Sequence, residues 1–439
     1  MRLMINRQRI PTSHFYWPTA IAGLMLMAGL LALSTLPHDT APLPHSAYLW
    51  QRNWSGSLRE AVQRNQPFIA EWAALAAEVE FQPDAPPRLA KVALDHASLR
   101  TSGRPVSLVI RIAPWAGAFD RSQPQTQFLI HLAQSLLNDA RRQGLEPAHL
   151  QLDFDAATRQ LDDYRHWLDA MREAIAPTPL TITTLPTWLN SPAFPRLIQS
   201  VDSYILQVHS WEAPRRPDQP FTLCDPDQAK RAIQQAAQLG RPFQVALPTY
   251  GYRAWFDSQH RLLGLSAEGP ALNASPDAQV REVRADPVAM AQLVRWLHIH
   301  RPENLHGIIW YRLPLPEDRL SWNERTWRTV MQGQTPAPRT AWVLKKSADG
   351  LIEVAFDATG EADSLLTTPL TLHWRQAQLI AADGLAGFTV QRLAPDALRL
   401  QPPRRELLRL APGQQQLIGW LRFSQPPEIS VHVDTPLPR

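Results

Sequence analysis

The sequence predicts an α/β fold. A (β/α)8 barrel of the TIM-barrel class spans residues 45–334, a small all-β, sandwich-like domain spans 335–439, and a signal or anchor helix with its linker occupies 1–44. Two observations carry the barrel. Strand-like apolar runs alternate with helical periodicity eight times, and such alternation makes the strands parallel. No Gly-rich phosphate loop marks a doubly wound sheet, and eight units close naturally into a ring. A third observation, the loss of any long helical period after Gly333, separates the second domain.

Ala47–Gln51 (AYLWQ) reads as the first strand, and Ser57 reads as the cap of a short helix over Leu58–Gln63. The apolar run Phe68–Phe81 holds the second strand, ending near Glu78 and Glu80, and Val106–Ile112 is the third. Phe128, Leu129, Leu132, Leu136, Leu137 and Ala140 then recur at helical spacing until Gly144. His149–Asp155 is the fourth strand. The helix after it presents Leu161, Tyr164, Trp167, Leu168, Met171 and Ile175 on one face. Leu180–Leu185 and Ser203–Val208 are the fifth and sixth strands, Phe243–Leu247 the seventh and Ile308–Leu313 the eighth. Asp225-Pro226 and Asp286-Pro287 each pair a capping carboxylate with proline at the first helical position, and Ser321-x-x-Glu324 reads as a capping box. Beyond the linker Thr335–Pro338, short apolar runs separated by Gly, Pro and Asp have the spacing of a β-sandwich.

The 44 basic and 40 acidic residues leave a formal charge of +4 with no basic stripe interleaved with aromatics, which argues against a nucleic-acid platform. Cys224 is the single cysteine, so neither an intramolecular disulfide nor a cysteine-built metal site is available; no metal and no cofactor is expected. Arg2, Arg7 and Arg9 precede an uncharged apolar run, Trp17–Leu36. That is a signal peptide with Ala32-Leu33-Ser34 as its cleavage site or, uncleaved, an inner-membrane anchor. Either way the chain is expected to be exported, in the periplasm or anchored facing it.

The fourth strand carries the candidate chemistry. Its period of two puts Gln151, Asp153 and Asp155 on one face and Leu150, Leu152 and Phe154 on the other. Two carboxylates on one face repel when both are ionised, so one holds a raised pKa or takes a cationic partner. Barrel function sits at the C-terminal strand ends. Equivalent places there hold Glu78, Arg111, Gln207, His209, Glu212, Tyr250, Tyr252 and Trp310. Acids among Trp and Tyr are the inventory of a carbohydrate site, with acids for glycosidic chemistry and rings to stack on sugars. Each has a structural alternative: Asp153 as a satisfied core carboxylate, His209 as a core histidine, Trp310 as barrel filling, Glu212 as a solvent ion pair, and Arg111 as the cation keeping the aspartates charged.

Strand six (VDSYILQVHS), strand seven (ALPTYG) and strand eight (GIIW), together with QLDFD, resemble the chitinase-type (family 18) glycoside hydrolases over residues 45–330. More narrowly, QLDFD, LQVHS and ALPTYGY resemble an uncharacterised bacterial family of exported barrels, domain of unknown function 3142. The chitinase-type resemblance implies a strand-four motif DxxDxDxE, which places its two inner aspartates on Asp153 and Asp155. Its first Asp falls on Leu150 and its terminal Glu, the general acid, on Ala157; the Tyr-Asp pair of strand six becomes His209-Ser210. The mechanism of that family cannot run as written without the Glu. Two functions follow. One is a glycosidase acting on an envelope or extracellular polysaccharide, using Asp155 as nucleophile, base or stabiliser, Asp153 to orient it, and Glu212 or Glu78 as acid. The other is a catalytically inactive glycan-binding barrel with Tyr250, Tyr252 and Trp310 as platforms. An acid facing Asp155 across an open cleft discriminates between them.

Overall fold

The computed structural model describes residues 42–83, 85–210, 214–266, 277–403 and 408–433; the signal or anchor segment and Glu212 lie outside them. No helix among the described residues is long and apolar enough to cross a membrane.

Eight strands form the barrel: β1 (His45–Leu49), β2 (Glu71–Gln82), β3 (Val106–Ile112), β4 (Pro147–Phe154), β5 (Leu180–Thr184), β6 (Ser203–Gln207), β7 (Phe243–Pro248) and β8 (Leu305–Tyr311). All are parallel, and β1 pairs with both β2 and β8, which closes the ring. The pleat divides their side chains. Tyr48, Ala73, Val109, Ile205, Ala246 and Ile309 meet in the barrel interior. Their neighbours, among them Leu108, Leu150, Leu152, Tyr204 and Val245, face the helical layer.

The helices dock by the stripes their periodicity marks. In Leu161–Ile175, all six predicted inward residues are buried. At roughly 1.5–3 kcal/mol per fully buried large apolar side chain, this face far outweighs helix propensity. Asp225 and Asp286 cap as expected, each accepting from two backbone amides. Two other caps differ. Ser55, not Ser57, accepts from the Leu58 amide at 3.2 Å, and Asn323, not Ser321, accepts from the Arg325 amide at 2.9 Å. In both cases the residue in extended backbone immediately before the first helical turn takes the role, as cap geometry requires.

Two additions stand on the C-terminal side of the barrel. Ala85–Lys91 returns antiparallel to β2 and prolongs it into a hairpin. After β7, Leu262–Ser266, Gly251–Phe256 and Gln279–Arg284 form a three-stranded antiparallel sheet with Gly251–Phe256 in the centre. Beyond residue 339 the chain forms two four-stranded antiparallel sheets and a two-stranded ribbon. Both larger sheets contribute to one apolar core, Val354, Ile418 and Leu421 from one and Leu372, Leu398 and Leu400 from the other. Leu43–Arg439 is one compact unit.

Gly251 ties the inserted sheet to the barrel. A Cβ there would stand 2.5 Å from the Val283 carbonyl oxygen and 3.0 Å from that of Leu320, both backbone atoms that cannot swing away. Gly251→Ala is therefore expected to cost about 1–3 kcal/mol, read as a lower melting temperature. An unchanged melting temperature would show that the insertion shifts freely.

Candidate active site

The pleat that buries Leu150, Leu152 and Phe154 against the helices turns Gln151 and Asp153 into the barrel. Gln151 is its polar plug: Nε2 donates to Tyr48 Oη at 2.7 Å and to Thr183 Oγ1 at 2.8 Å. Thr183 in turn hydrogen-bonds the Asp153 carboxyl. The strand end is held by Trp188, whose Nε1 donates to the Ala156 carbonyl at 3.1 Å.

Parallel pairing places Glu78 opposite Arg111 and Arg111 opposite Asp153, one residue from each of β2, β3 and β4 at one level. At ~4.8 Å between strands, the Glu78 and Asp153 backbones lie about 10 Å apart with Arg111 between them. A cavity of about 410 Å³ opens above this row, lined by Asp153, Asp155, Glu78, Glu80, Arg52, Arg88, Arg111 and the backbone around them. The two strand-four aspartates thus share one open cavity with two further carboxylates.

Their environments differ. Asp153 is half-buried; desolvation first, and the neighbouring Asp155 second, push its pKa up to about 6 against the pull of Thr183 and Arg111. Asp155 stands open to solvent at the rim, yet the protein around it still raises its pKa by desolvation, opposed by Arg111. Glu78 has both oxygens engaged, Oε2 by Arg52 Nε at 2.6 Å and Oε1 by Arg111 Nη1 at 3.3 Å. Glu80 pairs with Arg88 at 3.5 Å on the hairpin. This is the electrostatic arrangement in which one carboxyl retains a proton while another is ionised.

Among the described residues, Gln207, His209, Tyr250, Tyr252 and Trp310, predicted on strands six to eight, do not line this cavity. An aromatic wall fills their side of the mouth. Trp50 meets Tyr311 edge-on at 5.1 Å, Tyr311 meets Tyr250 at 5.3 Å, and His209 stacks on Tyr311 at 5.8 Å. Tyr250 is partly buried, its hydroxyl 2.5 Å from Ser210 Oγ, and burial pushes its pKa to about 12. His209 is buried, with its pKa pushed down to about 3 by desolvation and neither ring nitrogen hydrogen-bonded among the described residues, so it stays uncharged. Gln207 donates to the His209 carbonyl at 3.4 Å.

Trp310 and Tyr252 are corrections to the predicted sugar platforms. Trp310 is 0% exposed and faces the helical layer, because its neighbours Ile309 and Tyr311 face the interior. Its Nε1 donates to His45 Nδ1 at 3.0 Å, and its ring packs on Trp322. Tyr252 is buried beside Phe221 at the base of the inserted sheet. Neither offers a ring to a sugar. The residues missing from the sequence-based site are Arg52, Glu80, Arg88, Trp50, Tyr311 and Thr183. Trp50 and Tyr311 were legible from alternation, two residues beyond interior Tyr48 and Ile309 respectively. Arg52, on the loop after β1, had no local signal.

Fold and site together define an eight-stranded parallel barrel with a carboxylate–arginine cavity at the C-terminal strand ends, where such barrels hold their ligands. Residues 102–316 match the family described as Domain of unknown function (DUF3142). Residues 342–424 match a second, Domain of unknown function (DUF8456). No curated protein matches the chain. Among solved structures it is similar to the Bacillus cereus spore cortex-lytic enzyme SleL, at 15% identity and TM-score 0.47, covering 67% of this chain and 75% of that one. It is also similar to a chitinase from Chromobacterium violaceum, at 13% identity and TM-score 0.43, covering 66% and 98%. A third is the GH18 chitinase ChiB from Flavobacterium johnsoniae, at 12% identity and TM-score 0.41, covering 62% and 88%.

Two outcomes follow from this geometry. Folding raises the Asp153 pKa from its ordinary 3.8 to about 6, so its protonated form is the favoured one. That contribution to stability is complete below the unfolded pKa and is lost as pH rises through about 6. Asp153→Asn should therefore gain on the wild type as pH rises, by up to about 3 kcal/mol at pH 8 and little near pH 4. Parallel melting curves at both pH values would refute this. Trp310→Ala should cost about 3–5 kcal/mol by emptying the barrel–helix layer; loss of glycan affinity with full stability would restore the platform role.

Proposed function

We propose that this chain is an exported glycoside-hydrolase-like barrel that cleaves an envelope or extracellular polysaccharide with carboxylates. The single observation that supports it is the shared, open cavity of Asp153, Asp155 and Glu78, in which Asp153 keeps its proton to about pH 6 while Asp155 stands at the rim. Asp155 faces the anomeric carbon as nucleophile, base or stabiliser. Asp153 beneath it shares the proton economy of the pair. Glu78, fixed between Arg52 and Arg111, marks the opposite wall. In the reaction the glycosidic C–O bond breaks, the leaving oxygen takes a proton from Glu78 as acid, water supplies the hydroxyl that ends on the anomeric carbon, and the proton that water gives up restores the acid. Glu212 stays the alternative proton donor from the strand-six loop.

The second function, a glycan-binding barrel without turnover, is favoured by two observations. Ala157 occupies the place of the chitinase-type general acid, and both Glu78 oxygens are already held by guanidinium groups. The basic flank and apolar run at the N-terminus support export, with the barrel on the outer side of the inner membrane.

The two are separated by incubating the full-length protein with a panel of bacterial envelope and extracellular polysaccharides and measuring both new reducing ends and binding. Hydrolysis is expected, falling as pH rises through about 6 where Asp153 loses its proton. Asp155→Asn should lower it at least ~100-fold with an unchanged melting temperature. Binding without reducing ends in the wild type would establish the inactive barrel instead. Equal turnover in Asp155→Asn would sink the assigned roles.

A further inference from the structure

A second cavity, of about 750 Å³, opens on the same C-terminal side and takes no part in the chemistry above. It is lined by Pro214, Arg215, Arg216, Gln259, His260, Arg261 and Leu262. Its walls come from the loop after β6 and from the turn joining Gly251–Phe256 to Leu262–Ser266 after β7. Both follow the C-terminal ends of barrel strands, the end on which the carboxylate cavity also lies.

Among the described residues the lining carries three guanidinium groups and a histidine and no carboxylate. The arginines are held in place rather than neutralised as a set. Arg261 Nε is fixed on Asp257 Oδ2 at 2.8 Å, and Asp257 is itself held by the backbone amides of Gln259 and Arg261. Those contacts keep its carboxyl below the usual range. Arg216 Nε lies 3.3 Å from Asp218. Arg215 has no carboxylate partner among the described residues, while its backbone amide is pinned by Gln219 Oε1 at 3.0 Å. The loop is clamped to the inserted sheet from outside, because Arg281 Nη1 donates to the carbonyls of Pro217 and Gln219. The cavity thus has three exposed guanidinium groups, two pairing carboxylates set outside its lining, and walls anchored to one another.

We propose that this cavity is a subsite for an anionic substituent, so that the polysaccharide is an acidic glycan carrying carboxylate or phosphate groups. The proposal rests on the polysaccharide reading of the barrel and names its substrate class. Guanidinium groups present forked donors that match carboxylate and phosphate oxygens in pairs. The volume falls within the range of ordinary ligand sites. A neutral glycan would leave the remaining guanidinium donors of this lining with water only.

The test is binding to the full-length protein, which does not depend on turnover. The probes are a galacturonic acid hexamer, a phosphorylated oligosaccharide and a neutral galactose hexamer. At low salt an acidic probe should bind at least about tenfold tighter than the neutral one, and the tighter acidic probe identifies the natural group. High salt should shrink the difference, as it does for exposed ion pairs. The triple variant R215A/R216A/R261A should bring acidic and neutral probes within about twofold, while R215K/R216K/R261K keeps part of the preference. Equal affinity for acidic and neutral probes in the wild type, or an unchanged ratio in the folded triple alanine variant, would overturn the proposal. Asp155→Asn should retain the acidic preference. Full turnover with the preference intact in that variant would refute the catalytic assignment alone.

Discussion

The level row Glu78–Arg111–Asp153 is the contact on which the mouth of the barrel depends. Three adjacent parallel strands each contribute one charged residue at the same height, with the cation in the middle. Without Arg111, Asp153 and Asp155 would face each other and Glu78 across a cavity with less to balance them. With it, one carboxylate is held on the far wall and the strand-four pair divides into a half-buried member that favours its proton and an exposed one at the rim. The network beneath, Tyr48–Gln151–Thr183, spans the barrel and holds Asp153 from below. The charge pattern is thus supported by a polar plug rather than by the apolar shell.

The rest of the mouth shows how a barrel can place different surfaces on its two halves. Strands β2 to β4 carry ions, and the hairpin Glu71–Lys91 raises their wall. The side of β6 to β8 is closed by interlocking rings of Tyr250, Tyr311, Trp50 and His209, which exclude water and leave His209 neutral. The cavity therefore sits off the barrel axis, over the strands whose ends are charged. Beyond the ring of aromatics, the sheet inserted after β7 holds the cationic cavity against the strand-six loop.

Much of this was legible in the chain. All eight barrel strands, the apolar faces of the helices and the proline-started caps followed from periodicity, because a strand or helix that must bury one face repeats that demand every two or 3.6 residues. Asp153 and Asp155 were legible for the same reason. The errors cluster where the local pattern is too short or ambiguous in phase. Trp310 lies one residue out of phase with interior Tyr311: in an all-apolar strand such as GIIWY, nothing local says which alternate residues face the interior. Tyr252 looked like a rim aromatic until Gly251 and the inserted sheet placed it underneath. The short polar strands Ala85–Lys91 and Gln279–Arg284 bury too little apolar surface to leave a period.

By itself, then, the sequence determined the number and order of the barrel strands, the face on which the strand-four carboxylates stand and the absence of a Glu at position 157. Each is a property of residue type and spacing along one segment. Only the tertiary structure decided that Glu78, Arg111 and Asp153 stand level, that Arg52 completes the ion pair, that His209 and Trp310 are closed to solvent, and that Arg215, Arg216 and Arg261 share a cavity. Those facts depend on the register between strands and on loops meeting from distant parts of the chain. Register and loop packing are fixed by the closure of the whole barrel, which no single segment encodes.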